Sequence, residues 1–344
     1  MTAVDFTPRV LDIDPAAATE RIGAGIRQVV REQFRRRGAV VGLSGGIDSS
    51  VVAALCAHAL GKDRVMGLFM PETDSDPESL RLGQAVADSL GIRTECEDIA
   101  PILSAARCYE RRDQAIRAVV PEYGEGYKSK IVLPNVREGS QYSIFSVVVQ
   151  APDGTQKRVR LTPEAYFGIV AATNFKQRTR KMLEYYYADR LHYAVAGTPN
   201  LLEYDQGFFV KNGDGSADFK PIAHLYKTQV YQLAEYLGIP EEIRRRPPTT
   251  DTYSLAQGQD EFYFSLPYDK MDICLYAKNK GLPVVQAAEA AGLTPEQVQR
   301  VFEDIDTKRS TTRYLHMAPV LIDEVEEIQT VHGPRHTGHG EKVE

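Results

Sequence analysis

Short apolar runs alternate with longer stretches of helical spacing through the first third of the chain. Residues 39–43 (AVVGL) carry no polar side chain, the pattern of a strand buried on both faces. Residues 64–71 (RVMGLFMP) repeat it, and residues 92–99 alternate like a third strand. Helical stretches lie around them. Residues 16–38 end in three arginines and Gly38, basic side chains for a last turn and a glycine for the stop. Residues 50–61 and 79–91 likewise close at Gly61 and Gly91. Strand, helix, strand, helix, strand at this spacing predicts an α/β fold with a doubly wound parallel sheet.

The middle breaks this rhythm. Residues 121–140, rich in Gly, Lys and charge, read as a loop. Residues 141–150 (QYSIFSVVVQ) and 156–161 flank Ala-Pro-Asp-Gly-Thr, and an Asp-Gly turn between β-rich runs reads as a β-hairpin. The segment 122–172 is therefore expected to be an insertion. Helical spacing resumes over 174–190, residues 191–197 read as a fourth core strand, and 228–237 as a helix. Residues 1–329 are expected to form one domain and 330–344, polar and glycine-rich, a disordered tail.

Composition narrows the class. The chain has 344 residues and a net charge of −6, which argues against a bulk nucleic-acid binder. No apolar run approaches the roughly 18 residues of a membrane span, and the acidic N-terminus lacks the features of a signal peptide. The four cysteines (56, 96, 108 and 274) are scattered with no CxxC pair, which fits a reducing cytoplasm.

Candidate chemistry starts at Ser44-Gly-Gly-Ile-Asp-Ser-Ser50, between the first strand and its helix. That is where an open α/β sheet binds ligands, and two glycines let backbone N–H groups approach a phosphate. The string lacks the lysine of a Walker loop and is not GxGxxG. An acid inside a phosphate loop makes sense with a cation between the charges, so Asp48 suggests Mg²⁺. A glycine-rich turn with Asp48 and Ser49 as helix caps would explain the same residues without any ligand.

This loop resembles the SGGxDS motif of the N-type ATP pyrophosphatases, which activate a substrate as its adenylate and release pyrophosphate. The second half of the chain resembles the NAD synthases among them. Asn174–Met182 looks like their NxKxRxRM helix, Gly197–Glu203 their GTxNxxE and Gly207–Asp218 their GYFTKYGDGxxD. Pro221-Ile with Leu225–Val230, Pro248–Asp251, Gln259–Glu261 and Tyr268–Asp272 follow in family order.

The resemblance implies ATP contacts at Gly42, Leu43, Ser44, Gly45, Gly46, Ile47, Asp48, Ser49, Ser50, Thr198, Lys227 and Thr249. It makes Asp48 and Lys227 catalytic, Asp48 and Glu203 ligands of Mg²⁺, and Arg178, Lys211, Asp218 and Lys308 contacts to deamido-NAD. It implies amidation of deamido-NAD by ammonia in a homodimer. A related amide synthase acting on another carboxylate, and a nucleotide-binding regulator without activity, stay open as alternatives. Only 43 residues precede Ser44, so free ammonia or a separate glutaminase is the expected nitrogen source. The hairpin is expected to pack against the partner subunit or the mouth of the acceptor site rather than in the chain's own core, because it lies close before the 174–190 helix.

Overall fold

The computed structural model describes residues 6–132, 145–247, 253–255, 258, 263–264 and 266–323. Residues 141–144 and 330–344, and the whole of the Pro248–Asp251 motif (with Thr249) and of the Gln259–Glu261 motif, lie outside them.

Four parallel strands form the central sheet: β1 (Ala39–Gly42), β2 (Val65–Phe69), β3 (Arg93–Cys96) and β7 (Ala194–Val195), in the order β3-β2-β1-β7. Alternate side chains of β1 serve different layers. Ala39 and Val41 face a core built with α1 (Pro15–Arg27), α2 (Ile47–Leu60), α3 (Pro77–Leu90) and α8 (Lys227–Tyr236). Val40 faces the other way, with Met66 and Leu68, toward α4 (Ala100–Ala105), α5 (Cys108–Arg117) and α6 (Pro163–Leu191). Helices on both faces explain why β1 and β2 read as apolar runs. The chain leaves β1 in one direction along the sheet and returns on its other side at β7. The crevice at the carboxyl end of β1 is therefore the topological switch point, where such sheets hold ligands.

The middle segment departs from the sequence reading. The stretch expected to be a loop contains β4 (Lys128–Val132), which pairs antiparallel with β5 (Ser146–Gln150). β5 pairs in turn with β6 (Gln156–Arg160) across the expected Asp-Gly turn, so the hairpin is two strands of a three-stranded sheet. Ile131, Val147 and Val149 on one face pack with Ile116 and Val120 at the end of α5 and with Ala165 and Ile169 of α6. That is a core within the chain, the surface the sequence reading had ranked second. α6 also starts eleven residues before Asn174, capped by Thr162. α1 ends earlier than residue 38, passing into one wide π-helical turn over Gln28–Gln33, with Arg35 at φ 54°.

A second, mainly helical cluster completes the chain. It joins α7 (Leu201–Gln206), α10 (Tyr268–Asn279), α11 (Val284–Ala291) and α12 (Pro295–His316), with α9 (Glu241–Arg245) following α8.

Candidate active site

The phosphate loop closes by local physics. Gly45 has φ +71°, and a Cβ there would meet the Ser79 carbonyl at 2.3 Å, so only glycine fits this approach to α3. Gly46 caps α2, and its carbonyl accepts from the Ser49 and Ser50 hydroxyls at 3.0 and 2.8 Å. Ser44 and Ser49 hydroxyls meet at 3.1 Å. Asp48 lies in the first turn of α2, where the positive end of the helix favours an acid.

Four side chains from three helices and the β7–α7 turn converge here. The Lys227 ammonium, at the start of α8, donates to Asp48 Oδ2. Asn200, fully buried, donates from Nδ2 to Asp48 Oδ1 at 3.1 Å. The same residue opens α7 by exchanging hydrogen bonds with Glu203: its N–H donates to Glu203 Oε2 at 3.1 Å and its Oδ1 accepts from Glu203 N at 3.2 Å. One asparagine thus ties both carboxylates together. Burial and the nearby Asp48 charge push the Glu203 carboxyl up to about 8, partly opposed by Lys227. Lys227 is 0% exposed; burial disfavours its charge, but Asp48 and Glu203 outweigh that and raise its pKa.

Beside this cluster lies a cavity of about 400 Å³ whose lining includes Gly42, Ser44, Met70, Arg180, Glu184 and Thr198. Its rim, the turn after β2, is held by buried charges. Lys176 of α6 donates to Glu72 at 2.8 Å and Asp74 at 2.6 Å, Arg112 pairs with Asp74, and the Tyr109 hydroxyl donates to Glu72 at 2.8 Å. Lys181 pairs with Glu184 within α6 at 2.5 Å.

The sequence-derived acceptor residues fall into separate groups. Arg178 Nε donates to the Lys211 carbonyl at 3.2 Å, and the Lys211 ammonium caps α12 through the carbonyls of Tyr314 and Met317 at 2.9 and 3.1 Å. Asp218 is engaged structurally: it accepts from Val195 N at 2.7 Å and from the Tyr185 hydroxyl at 3.2 Å, latching its loop to β7. Lys308 donates to Asp304 and to the Tyr263 carbonyl, both at 2.6 Å, and burial lowers its pKa.

Sequence reasoning had quoted Asn200 in a motif without a role. The Asn-x-x-Glu spacing at a helix start was the available signal. Nothing in the sequence marked Glu72, Asp74 or Glu184.

Two carboxylates held by one asparagine suit a hard cation, since Mg²⁺ commonly takes one or two carboxylates and completes its shell with phosphate and water. A divalent cation would also relieve the repulsion that raises Glu203. Among the described residues no group of three or more His, Cys, Asp or Glu is placed to hold a metal.

Comparison with known proteins gives the chain a family. The NAD synthase family profile matches residues 18–122 and 141–313. The NH(3)-dependent NAD(+) synthetase of Rhizobium meliloti is 62% identical over 324 residues, covering 94% of this chain and 97% of the relative. That of Mesorhizobium japonicum is 60% identical, covering 92% of this chain and 100% of its own length. Among solved structures, the NMN synthetase of Francisella tularensis superposes with a TM-score of 0.62 at 20% identity, over 90% of this chain and 99% of the other. The NH3-dependent NAD synthetase of Campylobacter jejuni gives 0.59 at 22%, over 90% and 100%. At such identities the structures bear on the fold alone. The family profile covers most of the chain and near relatives match it along almost their whole length: the chain belongs to the NAD synthase family.

Proposed function

We propose that this protein amidates deamido-NAD to NAD with ammonia, consuming ATP and releasing AMP and pyrophosphate. The observation that carries this reading is the convergence of Asp48, Asn200, Glu203 and Lys227 at the switch point, beside a cavity large enough for a nucleoside.

ATP sits with its phosphates on the Ser44–Ser50 loop, where the backbone N–H groups of the α2 start face them. Asp48 and Glu203 hold Mg²⁺, which supplies charge neutralisation at the phosphates. Lys227 exchanges Asp48 for a phosphate oxygen and stabilises charge developing at the α-phosphorus. The acceptor carboxylate, oriented by Arg178 and Lys211, attacks that phosphorus, and pyrophosphate leaves. Ammonia then attacks the carbonyl carbon of the adenylate and AMP departs. Asp218 and Lys308 complete the acceptor contacts once substrate draws them from their present partners. The chain acts as a homodimer, with residues 1–329 as a single domain; both parts of this reading rest on the family resemblance.

Purified protein supplied with ATP, Mg²⁺, ammonium and deamido-NAD tests the reading. Equimolar NAD, AMP and pyrophosphate, absent without deamido-NAD, is the expected result. Pyrophosphate released only with a different carboxylic acid would replace deamido-NAD as the acceptor, and none with any acid would remove the enzymatic reading altogether.

A further inference from the structure

The Tyr268–Asp272 motif belongs to the sequence pattern, yet no step of the reaction above uses it. Its place in the fold gives it one. Tyr268 and Asp272 are the first and fifth residues of α10, so they share one face of that helix, a turn apart. Both face the start of α8. Asp272, fully buried, accepts through Oδ2 from the backbone N–H of Thr228 at 2.7 Å. The Tyr268 ring lies 5.4 Å from the Lys227 ammonium, in cation–π geometry.

The start of α8 is closed only in part from within: Gln229 Oε1 accepts from the Tyr226 N–H at 3.1 Å, but the Tyr226 side chain makes no cap hydrogen bond to the helix. Asp272 supplies the missing carboxylate from a different helix, where the N-terminal dipole favours it. The cost of burying that acid is visible: among the described residues, Asp272 Oδ1 and Thr228 Oγ1 have no hydrogen-bond partner that meets full geometry. A helix cap alone calls for no such buried charge; a solvated Ser or Asn before α8 would do. What this arrangement adds is a fixed position for the first residue of α8, which is Lys227.

We propose that Asp272 and Tyr268 are positioning residues for Lys227: α10 acts as a backstop that fixes the α8 start and aims the buried ammonium at the phosphate loop. The kinetic part of the test rests on the proposed function; ATP binding does not, and stands if the chain amidates another acid.

The test compares Asp272→Ala with Asp272→Asn, which keeps an acceptor oxygen. Calorimetric titration with ATP and Mg²⁺ is expected to show Asp272→Ala weakened about tenfold, the scale of one misplaced charge-assisted hydrogen bond, with Asp272→Asn close to the parent. In turnover, KM for ATP rises with it and kcat falls, while KM for deamido-NAD stays within about twofold, a split that general loosening would not produce. Tyr268→Leu against Tyr268→Phe gives the same contrast if circular dichroism shows Asp272→Ala unfolded. Unchanged ATP affinity in Asp272→Ala, equal loss toward ATP and deamido-NAD, or an Asn variant as impaired as the Ala variant would each overturn the assignment.

Discussion

Asp48 receives hydrogen bonds from Lys227 and Asn200 at once, so its removal acts twice. Asp48→Asn is expected to lower NAD formation at least about a hundredfold at low Mg²⁺, partly recovered at high Mg²⁺. It also leaves a buried ammonium without its anion, so the melting temperature should fall. Normal turnover of this variant at low Mg²⁺ would show that Asp48 holds no metal. Asp272 gives a prediction of the opposite sign. Burial raises its carboxyl to about 6, opposed by the N–H of Thr228. Between its unfolded value and that pH the folded chain binds the extra proton, so this group's contribution to stability falls as pH rises through the interval. Asp272→Asn should flatten the melting temperature profile between about pH 4 and 6. An unchanged slope would mean that the carboxyl titrates normally in the fold. At this scale the sequence singled out Asp48, Glu203 and Lys227 as candidates, because they sit in ordered motifs, and the fold brings the three side chains together. It could not reveal that Asp218 already serves Val195 and Tyr185, since that depends on a contact across the fold.

The insert shows how a strand hides. In β4, Lys128 and Lys130 point away from the core while Ser129 and Ile131 face it, so the charges that suggested a loop belong to the outer face of a sheet. The hairpin was legible because its turn is Asp-Gly and its runs are β-branched. The first turns of α6 were not, because they follow directly on β6 and look like part of the insertion. Ile131→Ala is expected to cost about 2–5 kcal/mol in chemical denaturation, because it opens a cavity under α5 and α6, with KM for ATP little changed. A loss below about 0.5 kcal/mol, the range of a neutral surface substitution, would mean that this core does not brace α6. Breaking the buried charges at the cavity rim should cost at least as much. Lys176→Met takes the ammonium from Glu72, which keeps the Tyr109 hydroxyl, and from Asp74, which keeps Arg112, and is expected to lose about 3–5 kcal/mol.

For the whole molecule, sheet order places the loop, the β7–α7 turn and α8 around one crevice, and the alternating pattern of strands and helices foretold that crevice though not its contents. The nitrogen source follows from what the chain offers. Cys56, Cys108 and Cys274 are buried, and burial raises all three thiols, Cys56 and Cys274 to about 12. Exposed Cys96 is raised too, by partial burial and then by Asp98 and Glu97. None is a ready thiolate for attack on glutamine. Ammonium should therefore support NAD formation and glutamine alone should not; glutamate released from glutamine by the purified chain would contradict this. α6 has a longer reach than any of these. It runs 29 residues, about 43 Å at 1.5 Å per residue, and presents Ile169 to the insert, Lys176 to the cavity rim, Arg178 to Lys211 and Glu184 to the cavity floor. Such a rod keeps an index: one residue added between Lys176 and Glu184 would turn everything beyond it by about 100° and pull nucleotide and acceptor groups out of register with each other. Changes of length must then be absorbed elsewhere, and the segment that the family profile skips, residues 123–140, ends before the rod begins.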